Sequence, residues 1–328
     1  PSLLKGAQMQ CILDAARANF TFAAEPEISM EANPSSTEAG RLKEYRAAGV
    51  NRISFGAQSF HPDELDWLGR LHSSGDIGKA VRAARRAGFE RVNLDLIYGL
   101  PEQSLERWEV SVRMALDLQP EHLSLYALTV EEGTPLHDWV ASGRTTEPDS
   151  DVAADMYLLA GRVMAEAGFE QYEISNWAKP GEEGRHNLVY WHNQPYLGLG
   201  PGAHSRFGDY RFSAVKLPQV YNAWQPGEPQ GEGLEAAIRA ASPIDEFSHI
   251  DGETDLMDTL VLGLRLSEGL TWAEIKERHG VDALQRFEPV WRELQNQWLL
   301  GYNPEGVFLT YRGRLLANEV FVRLMAAQ

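Results

Sequence analysis

Cysteine is almost missing from this chain. Cys11 is the one thiol in 328 residues, which excludes an intramolecular disulfide framework and fits a reducing compartment such as the cytoplasm. No apolar run approaches the roughly 18 residues that a membrane span requires, so only peripheral membrane contact stays open. The N-terminus has no basic stretch followed by an apolar core and is not a secretory signal. It begins instead at Pro1-Ser2-Leu3-Leu4, without Met, and reads as a cut end. Positive charge is scarce: 30 Lys+Arg stand against 47 Asp+Glu, a net charge of -17. That balance argues against nucleic acid and anionic lipid as default partners. No G-x-G-x-x-G segment follows any predicted strand, which removes the usual dinucleotide fold.

What remains is ordinary for a soluble globular protein, with 43% hydrophobic and 23% charged residues. The length suits one large α/β domain and a smaller one. The most informative stretch is Asn93-Leu94-Asp95-Leu96-Ile97-Tyr98-Gly99-Leu100-Pro101. With Val92, its aliphatic residues predict a strand that is apolar on both faces, broken by Gly99 and Pro101. Asp95 lies inside that run. A buried ionised carboxylate is costly unless something binds it, so Asp95 is either tied to a structural partner or faces a ligand site.

Helices and strands alternate. An amphipathic helix is expected over residues 3–20, with Leu4, Met9, Ile12, Leu13, Ala16 and Phe20 near one face. Cys11 sits just off that face and reads as a plain helix residue. Strands follow around 28–31, 51–56, 92–98 and 122–128, with a last one at 171–174. Ser35, Ser36 or Thr37 caps the helix between the first two strands, and Ser104 caps one that Pro120 stops. A further helix spans 149–167. Ala48-Gly49-Val50, Ala87-Gly88-Phe89 and Ala167-Gly168-Phe169 each join a helix end to a strand start, where a left-handed cap calls for Gly. The glycines fall 88 − 49 = 39 and 168 − 88 = 80 residues apart, one and two units of about 40. The unit between them closes with Leu118-Gln119-Pro120. Such a period predicts βα units and a parallel sheet, open or closed into a barrel.

Polar residues recur at strand ends: Glu31, Gln58, Asp95 and Tyr126. In a barrel they would share the carboxyl-end mouth, where barrel enzymes keep their sites. Two acceptors and an amide on separate strands suit a polyhydroxy ligand such as a ribose. Arg70, after Gly69, either grips a ligand carboxylate bidentately or is a solvated helix end.

Ser29-Met30-Glu31-Ala32-Asn33-Pro34, Asn51-Arg52-Ile53-Ser54-Phe55-Gly56-Ala57-Gln58-Ser59-Phe60, Leu68-Gly69-Arg70-Leu71-His72 and the 93–101 stretch resemble the radical S-adenosylmethionine proteins related to oxygen-independent coproporphyrinogen III oxidase. The resemblance runs over nearly the whole chain. It implies a partial (β/α)6 TIM-like barrel over residues 1–180, a 4Fe-4S cluster and bound S-adenosylmethionine. By position, Glu31, Gln58 and Asp95 would hold the ribose or its surroundings, Arg70 the methionine carboxylate, and Ile97 and Ala127 the adenine. The family also carries C-x-x-x-C-x-x-C on its first strand and Gly-Gly-Gly-Thr-Pro after its second. Pro1 to Leu4 is similar to the tail of that second segment, and nothing before it is present. Cys11 cannot replace three thiolates. The expectation is an N-terminally truncated barrel rather than a cluster-free relative.

After the barrel comes His186-Asn187-Leu188-Val189-Tyr190-Trp191, then Gly200-Pro201-Gly202-Ala203-His204, a segment (181–225) expected to close the barrel. The H-N-x-x-Y-W pattern is similar to that of the family's heme chaperones, in which its His is a candidate heme ligand. His186 either meets heme iron between aromatic rings or makes an ordinary hydrogen bond; His192 and His204 are the reserves. Residues 226–233 read as a linker. Beyond them, helices expected at 256–266, 272–279, 282–300 and 315–325, with a strand at 306–310, suggest a winged-helix-like domain. Its net charge of 9 − 17 = −8 over residues 226–328 argues against a nucleic-acid role. The resemblance thus implies a heme chaperone that passes heme to acceptor proteins. The alternatives are the coproporphyrinogen oxidase itself or a metal-independent barrel aldolase. The last would need a Schiff-base lysine at a strand end, and Lys43, Lys79 and Lys179 fall in helices or loops.

Overall fold

A computed structural model describes residues 1–36 and 39–327 as two compact units, Pro1–Arg185 and His186–Gln328. In the first unit β1 (Ser29–Ala32), β2 (Arg52–Gln58), β3 (Arg91–Tyr98) and β4 (His122–Ala127) lie parallel and in sequence order. Helices α1 (Gly6–Asn19), α2 (Ala39–Ala48), α3 (Pro62–Trp67), α4 (Ser74–Ala87) and α5 (Leu105–Asp117) alternate with them. Then come α6 (Pro135–Ala141) and α7 (Ser150–Glu166). The sheet ends in an antiparallel hairpin, β5 (Glu170–Gln171) and β6 (Asn176–Ala178), with β6 against β4. This is α/β architecture of the partial TIM-like kind. The single strand expected at 171–174 is instead a short hairpin, too short for periodicity to reveal.

The repeat of capping residues has a backbone cause. Gly49, Gly88 and Gly168 take positive φ (116°, 92° and 79°), and in the unit without glycine Gln119 takes that conformation (φ 55°). Gly88 caps α4 in the left-handed region, and its amide reaches the Ala84 and Arg85 carbonyls. Ser104 and Asp149 accept from backbone N–H groups at the starts of α5 and α7. Ser35 lies in a short 3-10 turn and donates to Asn33 Oδ1 (2.8 Å), while Thr37 lies outside the described residues.

The central strand is not apolar on both faces. Val92, Leu94 and Leu96 are fully buried on one side. Asn93, Asp95 and Ile97 lie on the other, because side chains alternate along a strand. The same alternation sets Ile53, Phe55 and Ala57 against Ser54, Gly56 and Gln58, and Leu123 and Leu125 against His122, Ser124 and Tyr126. One face therefore packs under helices and the other is polar. Helix α1 differs from expectation too: of its apolar stripe only Met9 is buried, whereas Ile12 and Phe20 are exposed, as is Cys11.

In the second unit, α8 (Arg185–Trp191) leads from the first and is followed by β7 (His204–Phe207), β8 (Tyr210–Ala214), α9 (Pro218–Ala223), α10 (Leu234–Ala241) and β9 (Ile244–His249). The strands form an antiparallel β7-β8-β9 sheet. Next come α11 (Gly252–Gly263), β10 (Leu270–Thr271), α12 (Trp272–His279), α13 (Ala283–Arg286), α14 (Glu288–Asn296), β11 (Leu300–Tyr302), β12 (Gly306–Leu309), α15 (Tyr311–Leu315) and α16 (Ala317–Met325). Helices with the small β10-β12-β11 sheet give the winged-helix-like shape. The helix expected over 282–300 is split at Phe287, since Pro289 brings no N–H to continue the ladder. Asp255 ties this unit together, accepting from Arg206, from Arg278 (3.2 Å) and from Asn193 Nδ2 (2.9 Å).

Trp108 locks α5 in place. It is fully buried, packs on Tyr98 of β3 (centroids 5.3 Å apart) and donates its indole N–H to the Met156 carbonyl of α7 (2.9 Å). Trp108→Ala should lower unfolding free energy by about 3–5 kcal/mol, read as a lower urea midpoint; an unchanged midpoint would contradict this packing.

Candidate functional site

The polar face of the first unit opens into a cavity of about 390 Å³ lined by Glu31, Gln58, Asp95, Ile97, Tyr126, Ala127, Leu128 and Thr129. The lining comes from the carboxyl ends of all four parallel strands and the residues just past β4. A larger cavity, about 920 Å³, lies at the opposite helix ends around Arg85 and Phe169. There Arg85 pairs with Glu121 (2.7 Å) and donates to the carbonyls of Phe89, Glu90 and Gln119, so its terminal nitrogens are spent on structure.

Each wall of the smaller cavity has a local cause. Gln58 is a non-glycine residue with φ 65°, placed where the β2–β3 register slips between Gly56 and Gln58. The bulge turns its amide inward. A side chain at Gly56 would meet Gln58 Nε2 at 2.7 Å. His72 supports the bulge, its Nε2 donating to the Ala57 carbonyl (3.1 Å) from a buried position. Past β3, Gly99 takes φ 76° and donates its amide to Gln103 Oε1 (2.9 Å). Gln103 donates in turn to the buried Glu64 (3.1 Å), which also receives Arg107 (2.9 Å). That network holds the loop beyond Ile97.

Asp95 is the electrostatic centre. Ser54 donates to its Oδ2 (2.9 Å) and Asn93 to its Oδ1 (2.7 Å). Burial pushes its pKa up to about 6; the bonds from Ser54, Asn93 and Ser124 offset part of that, and the Glu31 charge adds to it. Tyr126 is pushed up to about 12 by burial of its hydroxyl end, then by the charges of Asp95, Glu173 and Glu31. At neutral pH the mouth thus offers an acceptor carboxylate beside a protonated phenol.

Arg70 is not among the lining residues. It follows α3 through Gly69 (φ 66°), and its half-buried side chain leaves Nε buried without a hydrogen-bond partner among the described residues. His186 lies in the second unit, exposed on α8. Tyr190 Oη meets its Nε2 at 3.1 Å, and Tyr190 in turn packs edge-on against Tyr196 (4.6 Å). Trp191 instead lines a separate cavity of about 250 Å³ with His192 and Arg278, under the Arg265 guanidinium (4.4 Å). His192 and His204 are exposed. Sequence reasoning missed Ser54, Asn93, His122, Ser124 and His72; the polar alternation on β2, β3 and β4 was the signal for the first four.

The raised Asp95 pKa sets a sign for stability. The folded chain keeps the proton up to about pH 6, where the unfolded chain has already lost it, so ionisation costs stability as pH rises from about 4 to 6. Asp95→Asn should therefore gain on the parent over that window by up to about 3 kcal/mol and hold the difference above pH 7. Paired urea titrations at pH 4, 5, 6 and 7 measure it; a difference that shrinks with pH would refute it.

Residues 1–115 match the Radical SAM superfamily, and residues 250–316 match the HemN C-terminal domain. The chain is 39% identical to a Mycobacterium tuberculosis protein named "Heme chaperone HemW", over 99% of this chain and 78% of the relative. It is 36% identical to the Bacillus subtilis protein of that name, over 90% of this chain and 75% of the relative. For the Escherichia coli protein of that name the figures are 45%, 72% and 61%. The solved structure of Escherichia coli coproporphyrinogen III oxidase (HemN) superposes with TM-score 0.79 at 21% identity, over 99% of this chain and 75% of that one, a likeness of fold. The chain therefore belongs to the radical S-adenosylmethionine family, in the group of HemW-like proteins.

Proposed function

We propose that this chain serves a heme chaperone: the strand-end cavity of the first unit takes S-adenosylmethionine, and the aromatic α8 segment of the second takes heme for delivery to acceptor proteins. The observation that carries the reading is that Glu31, Gln58, Asp95, Ile97 and Ala127 line one cavity, in a chain 36% to 45% identical to proteins named for heme chaperoning. A carboxylate pair beside an amide can accept both hydroxyl hydrogens of a ribose. Ile97 and Ala127 offer apolar contact for a base. Arg70, with a buried N–H lacking a partner, suits a ligand carboxylate. When bound, S-adenosylmethionine supplies an adenosyl group and a charged amino-acid end for these residues to hold.

The family also implies a 4Fe-4S cluster, and here the residues do not fit. Three thiolates are required; the sequence has Cys11 alone, exposed on α1. Among the described residues no group of three His, Cys, Asp or Glu side chains is placed to hold a metal.

Heme binding would rest on His186. Tyr190 and Tyr196 form an aromatic series beside it, and an imidazole with aromatic walls is a suitable axial ligand. Its contact with Tyr190 would have to open for Nε2 to meet iron.

Two measurements check this. Calorimetric titration with S-adenosylhomocysteine should detect binding, and Asp95→Ala should weaken it about tenfold or more, the loss of charge-assisted hydrogen bonds. Equal affinity in the variant would remove the cavity assignment. Hemin titration followed in the Soret region should give a bound spectrum that His186→Ala changes and weakens; an unaltered spectrum and affinity would remove His186.

A further inference from the structure

Barrel interiors are ordinarily filled by bulky branched side chains. Beneath this cavity they are replaced by a row of polar ones. Ser54, Asn93 and His122 stand in register across β2, β3 and β4, and Asp95 and Ser124 form the next row toward the mouth. Their bonds join end to end. Asn93 Nδ2 donates to Asp95 (2.7 Å) and to Ser54 Oγ (2.8 Å), while Asn93 Oδ1 lies 2.7 Å from His122 Nδ1. His122 Nε2 lies 2.8 Å from the Tyr172 hydroxyl, which receives the Gly184 amide (3.3 Å).

Asp95 sets the direction of the links that lead from it. A backbone N–H can only donate and an ionised carboxylate can only accept. With Asp95 accepting, Asn93 must present Nδ2 to it and Oδ1 to His122. His122 then carries its hydrogen on Nδ1 and accepts at Nε2 from Tyr172 O–H, whose oxygen is left to accept from Gly184. The imidazole must be neutral for this. Burial, with the nearby Arg52 charge, lowers its pKa to about 3. Arg52 also fixes the far end, donating to the Glu182 and Glu183 carbonyls (2.8 and 3.0 Å) just before Gly184, with its own charge paired to Glu27 (3.0 Å). The Asp95 end sets the tautomer and the amide orientation, and the Gly184 amide on the Tyr172 oxygen is compatible with both.

We propose that Asn93, His122 and Tyr172 are positioning residues: a one-way hydrogen-bond relay from Gly184 that holds the Asp95 carboxylate charged and aimed at a hydroxyl-bearing ligand in the cavity. The proposal rests on the nucleoside reading for its ligand, but the relay itself is a property of the free chain. If Tyr172 no longer donates, His122 is free to change tautomer and Asn93 to turn over. Asp95 then loses a donor, which favours its protonated form. The other titratable groups facing Asp95 are Glu31 and Tyr126, with Glu173 beyond Tyr126; all three stay unaltered in the variants below.

The test follows the Asp95 side-chain carboxyl by carbon NMR through a pH titration of the parent, Tyr172→Phe and Asn93→Ala, with S-adenosylhomocysteine calorimetry at each pH. Asn93→Ala removes the donor itself and should raise the Asp95 midpoint by about one pH unit, and Tyr172→Phe by a smaller, measurable amount. The acid limb of ligand binding should move with it. A general loss of packing would lower thermal stability without this graded shift. If Asn93→Ala fails to fold, Tyr172→Phe alone decides. An Asp95 midpoint in Tyr172→Phe equal to the parent's would overturn the relay. Failure of the parent to bind S-adenosylhomocysteine would instead overturn the nucleoside reading, and the NMR titration would still judge the relay.

Discussion

Desolvation opposes the charge on Asp95, and the inner face of the sheet is arranged to offset it. A carboxylate taken out of water needs donors. Ser54 supplies one from the neighbouring strand and Asn93 another from the same strand. With its nitrogen turned to Asp95, Asn93 presents its amide oxygen to His122, and His122 meets Tyr172 on its other ring nitrogen. One acid therefore dictates the character of several positions on three strands and the hairpin approach. The opposite face of the same strands carries Ile53, Phe55, Val92, Leu94, Leu96, Leu123 and Leu125, all buried. Stability and chemistry are thus divided between the two faces of one sheet.

Strand ends add the second constraint. Four parallel strands in sequence order carry their carboxyl ends to one edge, and the residues there meet whatever occupies it. Gln58 reaches the cavity only through a bulge and a left-handed backbone. His72, from the next loop, grips the carbonyl beside that bulge. The Glu64, Gln103 and Arg107 network fixes the turn after Ile97 in a similar way. Cavity-facing groups are held by neighbours that do not line the cavity themselves.

Particular residues show how far the sequence could be read. The helix ends were legible because a left-handed cap favours glycine, and Gly49, Gly88 and Gly168 take that conformation. Acceptors at successive strand ends were visible as Glu31, Gln58 and Asp95. The alternation on β3 was mistaken for a doubly apolar strand, since Val92, Leu94 and Leu96 dominate composition and hide Asn93. The β5–β6 hairpin and the division of the 282–300 helix escaped a reading by period: two or three residues make no period, and a proline inside a helical stretch can be a first-turn residue or a break.

Local chemistry is what the sequence determined by itself: where the helices before Gly49, Gly88 and Gly168 stop, that polar residues recur at strand ends, that the chain is acidic and nearly free of thiols. These follow from backbone sterics and side-chain type, which act between near neighbours. Only the tertiary structure decided that Glu31, Gln58, Asp95, Ile97 and Ala127 share a cavity while Arg70 stands outside its lining. It also decided that His122 is neutral and that Asn93 presents its nitrogen to Asp95. Those properties depend on register between strands distant in sequence and on exclusion of water, and neither exists until the sheet has closed over its polar face.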